Sequence, residues 1–128
     1  MLTAQDIFDR VYNHFIVKRR PRSTRALPGD SHDTCAYRGN YGAKCAAGLF
    51  IPDHLYEEEM EGGLCTDIKD KLEPGCAENI YLLLELQRAH DFNKTHFGMQ
   101  QDMEYVAVEY KLKVPNHETV ISTPTDCT

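Results

Sequence analysis

Apolar residues recur at helical spacing in three segments of this chain. In the first segment, Phe8, Val11 and Phe15 are separated by steps of three and four residues, and Ile7 lies four residues before Val11. Steps of this size put the side chains on one face of an α-helix. The pattern therefore predicts an amphipathic helix over residues 4–17.

The start and the end of this helix also have sequence signals. Thr3 can act as the N-cap, and Asp6 three residues later completes a capping box in which an aspartate replaces the usual glutamate. Leu2 and Ile7 stand at the two positions of a hydrophobic staple. Pro21 disfavours helix at the residue before it, so the helix is expected to end ahead of it.

The second segment, residues 77–91, predicts the central helix of the fold. From Ile80 to Ala89 it has almost no polar face over its first half, which indicates a rod surrounded by other elements. The third segment carries an apolar stripe from Met99 to Tyr110 and predicts a last helix. Val108 lies off this stripe and leaves a strand as the competing interpretation, but the period favours helix.

Between these helices the amino-acid sequence predicts only short elements of secondary structure. Residues 44–50 and 53–60 are expected to form two short helices, and residues 66–72 a brief helical turn. Gly62-Gly63 is expected to end the second of these helices. The segment 35–42 can add a small extended pair, since it contains turn residues flanked by a short non-helical run.

The fold class that follows is an all-α or nearly all-α bundle of about five helices, forming one domain over residues 1–128. Residues 18–34 hold two prolines and polar turn residues and predict a basic, flexible loop. Residues 114–128 predict an irregular tail. The length suits one domain of ordinary size, and the sequence specifies no oligomeric state.

Composition adds a cellular setting. The chain is 41% hydrophobic and 27% charged, which is ordinary for a globular protein. No run approaches the roughly 20 apolar residues of a membrane span, and the first residues do not resemble a signal peptide. Five cysteines without a C-x-x-C pair are typical of free thiols in a reducing compartment. We therefore expect a cytoplasmic protein without membrane contact.

Charge is distributed unevenly. Residues 1–25 hold six basic and two acidic side chains, a balance of +4, whereas the other eight basic and eighteen acidic side chains give residues 26–128 a balance of −10. Arg19, Arg20 and Arg22 lie within the basic stretch 18–25. Such a stretch can contact nucleic-acid phosphates or an acidic protein surface, although a solvated connector is the favoured interpretation.

A candidate binding site surrounds the run Tyr37-Arg38-Gly39. An arginine fork, an aromatic face and glycine-turn amides can hold an anionic small molecule. The alternative, which we favour, is that Arg38 pairs internally with an acid such as Asp53 or Glu61. The candidate binding residues are Tyr37, Arg38, Lys44, Asp53, Tyr56, Glu61, Arg19, Arg20 and Arg22.

The cysteines raise two further hypotheses, which we rank below buried structural thiols. Cys35 and Cys45 with His32, or Cys65 with Cys76, offer zinc ligands, but their spacings are not those of zinc knuckles. A second hypothesis makes Cys45 a nucleophile with His90 and Asp91, although its apolar surroundings would raise the thiol pKa. No catalytic residue, metal site or cofactor is predicted.

The middle of the chain resembles a family of small uncharacterised proteins from bacterial genomes, prophages and bacteriophages. The shared text is C-x-Y-R-G, then G-x-K-C-A-x-G, Ile-Pro-Asp, Leu-Tyr and Met-Glu-Gly, with a weaker echo at Leu86, Gln87, His90 and Asp91. The matching residues are Cys35, Tyr37, Arg38, Gly39, Gly42, Lys44, Cys45, Ala46, Gly48, Ile51, Pro52, Asp53, Leu55, Tyr56, Met60, Glu61 and Gly62. This resemblance implies a phage or prophage accessory protein and no activity.

The functional hypothesis combines these observations. We expect a non-catalytic phage or prophage protein that binds a host protein, and an inhibitor of a host defence protein would be one instance. The alternatives are a small-ligand-binding protein, a cysteine- or metal-dependent enzyme, and a protein that contacts nucleic acid through residues 18–25.

Overall fold

A computed structural model describes residues 1–115. Its three α-helices are α1 (Ala4–Tyr12), α2 (Ile80–Asp91) and α3 (His96–Glu109). A π-helical turn, Asn13–Val17, continues α1 without a break. Together the two confirm the helix predicted over residues 4–17.

The capping box at the start of α1 is confirmed. The Thr3 side chain accepts a hydrogen bond from the backbone N–H of Asp6 at 3.1 Å, and the Asp6 carboxylate accepts one from the backbone N–H of Thr3 at 3.0 Å. These bonds satisfy donors that have no partner within the helix itself. They also hold the pKa of Asp6 below its usual value.

Helix α2 is central, as predicted, but it is not enclosed on all sides. It packs against α1, α3 and the segments 47–50 and 65–71, and Leu82, Leu83 and Leu86 are fully buried. Tyr81, however, is 71% exposed, and Arg88 is exposed on the same face. The prediction of a fully wrapped rod is therefore wrong, because the neighbouring elements do not reach around this face.

Residue 108 lies in helix α3 and not in a strand, which was the competing interpretation. Met99, Met103 and Ala107 are buried at helical spacing, while Val108 is exposed. The apolar stripe thus belongs to a helix, as predicted. Its buried side chains complete one contiguous core with those of α1 and α2.

Two polar links join the first helix to the last part of the described chain. The buried Tyr12 hydroxyl donates to the Glu104 carboxylate at 3.0 Å. The amide group of Gln5 donates to the carbonyl of Lys113 at 2.7 Å and accepts from its N–H at 2.9 Å. The side chain of Gln5 therefore pairs with a backbone segment as a neighbouring strand would.

The remaining helical elements are 3-10 turns, so the fold is mostly helical but is not a regular five-helix bundle. The helix predicted over residues 53–60 is two separate turns. Asp53 does not cap either turn with its side chain. The 3-10 turns are Asn40–Gly42, Ala47–Phe50, Asp53–Leu55, Glu58–Met60, Cys65–Lys71 and Ala77–Asn79.

A small antiparallel sheet pairs β1 (Thr24–Arg25) with β2 (Thr34–Cys35), and a single bridge joins Arg38 to Lys44. The strand β1 lies inside the segment 18–34 that was predicted as a loop. The flexibility of that segment stays a prediction, but its residues 22–25 are bonded to the body of the protein, as described below. The predicted tail, 114–128, lies outside the described residues except for its first two.

Within residues 1–115, no helix combines the length and apolar character needed to cross a bilayer.

Gly48 allows two backbone segments to touch. A Cβ atom at this position would lie 2.3 Å from the carbonyl oxygen of Tyr37. We expect Gly48→Ala to lower the free energy of unfolding by about 1–3 kcal/mol, since the two segments would have to move apart. Urea denaturation monitored by circular dichroism measures the change. Gly63→Ala is the matched control, because a Cβ there meets only ordinary contacts. An equal loss in both variants would contradict the prediction.

Candidate functional site

The carboxylate of Glu61 gathers four donors from three parts of the chain. It accepts hydrogen bonds from the backbone N–H groups of Tyr37 at 2.8 Å and Arg38 at 3.1 Å, and from the Tyr56 hydroxyl at 2.7 Å. The guanidinium of Arg25 lies 3.5 Å from the same carboxylate. The Glu61 side chain is only 3% exposed, so these partners replace its lost hydration.

The side chain of Arg38 is also engaged within the protein. It donates to the Asp53 carboxylate at 2.6 Å and to the Ile51 carbonyl at 2.7 Å, and its guanidinium lies 5.0 Å from the centre of the Tyr56 ring. Lys44 approaches Asp53 at 3.8 Å. The Arg38 guanidinium accordingly lowers the pKa of Asp53.

The structure therefore brings the six candidate residues of the middle segment together, but as internal partners. Both acids that were proposed as partners of Arg38 bond to it: Asp53 accepts from the Arg38 guanidinium, and Glu61 accepts from the Arg38 backbone N–H. Tyr37 is buried, and its hydroxyl donates to the Gly63 carbonyl at 3.0 Å. We call this group the Glu61 cluster: Arg25, Tyr37, Arg38, Lys44, Asp53, Tyr56, Glu58 and Glu61.

Arg25 was missed as a member of this cluster. Its guanidinium donates to both carboxylate oxygens of Glu58, at 2.7 and 2.9 Å, and to the Arg38 carbonyl at 2.7 Å. The hydrogen bonds from one Arg25 nitrogen to both Glu58 oxygens raise the pKa of Arg25 and lower that of Glu58. The sequence allowed the basic segment to contact the acidic run that contains Glu58, but it did not single out Arg25 for that contact.

The basic stretch 18–25 is split by the fold. Arg22 donates to the carbonyls of His90 at 3.1 Å and Asp91 at 3.0 Å, which satisfies the carboxyl end of α2. Arg19 and Arg20 are exposed, as is Lys18. Because Arg22 and Arg25 bond to the protein itself, only Lys18, Arg19 and Arg20 of the five basic residues in this stretch are left exposed. Fewer basic side chains are therefore available for contact with nucleic-acid phosphates.

A thiol does lie beside His90 and Asp91, but it is that of Cys35. The sulfur of Cys35, a ring nitrogen of His90 and an Asp91 oxygen all lie within 4.8 Å of one another. Cys45, the thiol named in the less favoured nucleophile hypothesis, is not part of that group. It is buried, its sulfur accepts from the Gly48 N–H, and burial raises its pKa.

Both ring nitrogens of His90 are already occupied. The backbone N–H of Ser23 donates to Nε2 at 3.0 Å, so Nε2 must be an acceptor. In the neutral ring Nδ1 then carries the proton, which it shares with the Asp91 carboxylate at 2.9 Å. A metal at Nδ1 would force the proton onto Nε2, where it would meet the Ser23 N–H. This group therefore does not fit a metal ion.

The same bonds leave His90 without a free lone pair to act as a base for Cys35. Burial raises the pKa of Cys35 to about 11; Asp91 also raises it, and Arg22 opposes the rise. The trio of His32, Cys35 and Cys45 proposed from sequence does not come together either, since residues 1–115 contain no other clustered trio of metal-binding groups.

Two concavities flank the exposed face of α2, and this feature was not foreseen. One, of about 390 Å³, lies between α2 and α3; we call it the α2–α3 groove. The other, also about 390 Å³, is lined by the thiols of Cys35, Cys45 and Cys65; we call it the thiol cleft. Arg88 and Phe92 line both, so the concavities adjoin at these two residues.

Large apolar side chains stand open to solvent around these concavities. Phe92 is 79% exposed, Leu64 in the thiol cleft is 59% exposed, and Tyr105 in the α2–α3 groove is 57% exposed. We call the two concavities with these three side chains the Phe92 surface. The helical spacing of Tyr81, Arg88 and Phe92 was the sequence signal that could have revealed it.

Comparison with protein-family models, curated proteins and solved structures found no match.

Glu61→Gln tests the Glu61 cluster. The amide has the same shape but presents an N–H₂ group to a site that already holds donors, so we expect a loss of about 1–3 kcal/mol in the free energy of unfolding. Urea denaturation of the purified variant measures it. Glu59→Gln, on the exposed side of the same turn, should change stability by less than about 0.5 kcal/mol. A Glu61 variant as stable as the control would contradict the prediction.

Thiol labelling tests the chemistry of Cys35. In a Cys127→Ser background at pH 7, we expect iodoacetamide to modify the native protein at least about 100-fold more slowly than free cysteine, because a raised pKa leaves little thiolate. The rate should climb with pH, since the thiolate forms only toward pH 11. Urea-unfolded protein serves as the control and should react at the ordinary rate. Rapid labelling at pH 7 that Cys35→Ser abolishes would contradict this prediction.

Proposed function

We propose that this chain is a non-catalytic binding protein that acts by occupying a host protein through the Phe92 surface. The phage or prophage origin in this proposal rests on the resemblance of the middle segment alone. Inhibition of a host defence protein would be one form of this activity. The proposal names no cofactor.

The observation that carries the proposal is the exposure of Phe92, Leu64 and Tyr105 around two adjoining concavities. Proteins seldom leave large aromatic side chains grouped in solvent, because each exposed ring forgoes burial worth roughly 1.5–3 kcal/mol. Aromatic and arginine side chains are also those that contribute most at protein interfaces. Arg88 stands between the two concavities in such a position.

The alternatives have less support. A thiol enzyme needs a base, and the Ser23 N–H and the Asp91 carboxylate occupy both nitrogens of His90. An anionic ligand at Tyr37 and Arg38 would have to displace Asp53 and Glu61, which hold the donors it needs. Contact with nucleic acid would depend on Lys18, Arg19 and Arg20.

Affinity capture from host cells tests the proposal when it is followed by reconstitution with the purified partner. We expect the wild-type chain to form a binary complex that Phe92→Ser with Tyr105→Ser weakens at least tenfold. Both side chains are exposed, so the fold should persist, which circular dichroism checks.

Phe97→Ser is the matched control. It removes an aromatic ring of α3 whose exposure lies between those of Phe92 and Tyr105 and which is outside both concavities, and it should leave the affinity unchanged. A partner that binds the double variant as tightly as the wild type would contradict the proposal.

A further inference from the structure

The Phe92 surface has a shape that constrains its occupant. Phe92 and Arg88 line both concavities, so a molecule lying across them meets one depression on each side of the Phe92 ring. To fill both, it needs at least two apolar side chains separated by the width of that ring. A helix offers such a pair at positions three, four or seven residues apart.

The charge around the α2–α3 groove is acidic. Glu85, Asp102 and Glu109 line it, against Arg88 as the one basic residue among its lining groups. Arg88 donates to Glu85 at 3.2 Å, so part of its charge is already balanced within the protein. Asp102 accepts a bond from the neutral amide of Asn93 and keeps its negative charge unpaired by any described cation.

Glu109 adds a second uncompensated charge, since it has no ion pair among residues 1–115. The groove therefore combines exposed aromatic side chains with acidic lining residues that outnumber its one basic residue. An acidic partner would bring like charges together, whereas lysine or arginine side chains would complement Asp102 and Glu109.

We propose that the occupant of the Phe92 surface is a basic amphipathic helix of a partner protein. It places apolar side chains in the concavities on either side of Phe92 and basic side chains opposite Asp102 and Glu109. This inference rests on the proposed function, because it names the partner chemistry of the same surface.

Selection from a random library of displayed 16-residue peptides tests the inference without knowledge of the natural partner. Peptides are selected on the wild-type chain and counter-selected on the Phe92→Ser/Tyr105→Ser variant. We expect the survivors to be enriched in lysine and arginine and to carry apolar residues at helical spacing. Synthetic copies should bind the double variant at least tenfold more weakly in fluorescence anisotropy.

Two charge variants separate electrostatics from shape. Asp102→Asn with Glu109→Gln should weaken the selected peptides by about threefold or more and flatten the dependence of affinity on salt. Glu78→Gln, an exposed acid outside both concavities, is the control and should change neither. Phe97→Ser again controls for the loss of an exposed ring.

The outcomes distinguish this inference from the proposed function. Selected peptides that require Phe92 for binding but are not enriched in lysine and arginine would overturn the proposal of a basic helix. They would leave the proposal that the Phe92 surface binds a partner in place. A library that yields no peptide dependent on Phe92 and Tyr105 would overturn both. Concentration-dependent dimerisation abolished by Phe92→Ser would overturn the partner helix in favour of a second copy of the chain.

Discussion

The buried carboxylate of Glu61 is the constraint on which the irregular middle segment of this protein depends. Residues 36–63 form no α-helix and contribute no sheet, so their backbone groups need partners other than regular hydrogen-bond ladders. One carboxylate supplies acceptors to two successive N–H groups, at Tyr37 and Arg38, and to the Tyr56 hydroxyl. Arg25 then compensates its charge and brings the basic segment onto the same cluster.

In that cluster the candidate binding residues of the middle segment are bonded to one another, and their binding role stays a prediction. An arginine beside an aromatic residue and glycines has the same composition whether it holds a ligand or its own chain. The sequence therefore identified Arg38 and both of its acidic partners. It could not show that the guanidinium bonds to Asp53 while the backbone N–H bonds to Glu61. Nor could it show that Arg22 serves the carboxyl end of α2, because that pairing spans 68 residues.

Local signals were read more successfully than distant ones. The capping box at Thr3 and the stripe on α3 depend on neighbours within four residues, and both were predicted correctly. The short helices predicted over residues 44–50 and 53–60 are 3-10 turns in the structure. The sequence could not separate the two, since a 3-10 turn and one turn of α-helix share the same residues and caps. The exposure of Tyr81 and Phe92 was not predicted, because an apolar run indicates burial without saying which face the fold leaves uncovered.

The links between Tyr12 and Glu104 and between Gln5 and Lys113 have a consequence for biosynthesis. The first helix emerges from the ribosome well before the last one, and it packs against both α2 and α3. Until α3 has been made, the part of the α1 surface that it covers remains available to chaperones or to other nascent chains. The order of synthesis thus delays the closure of this part of the core until α3 has been made.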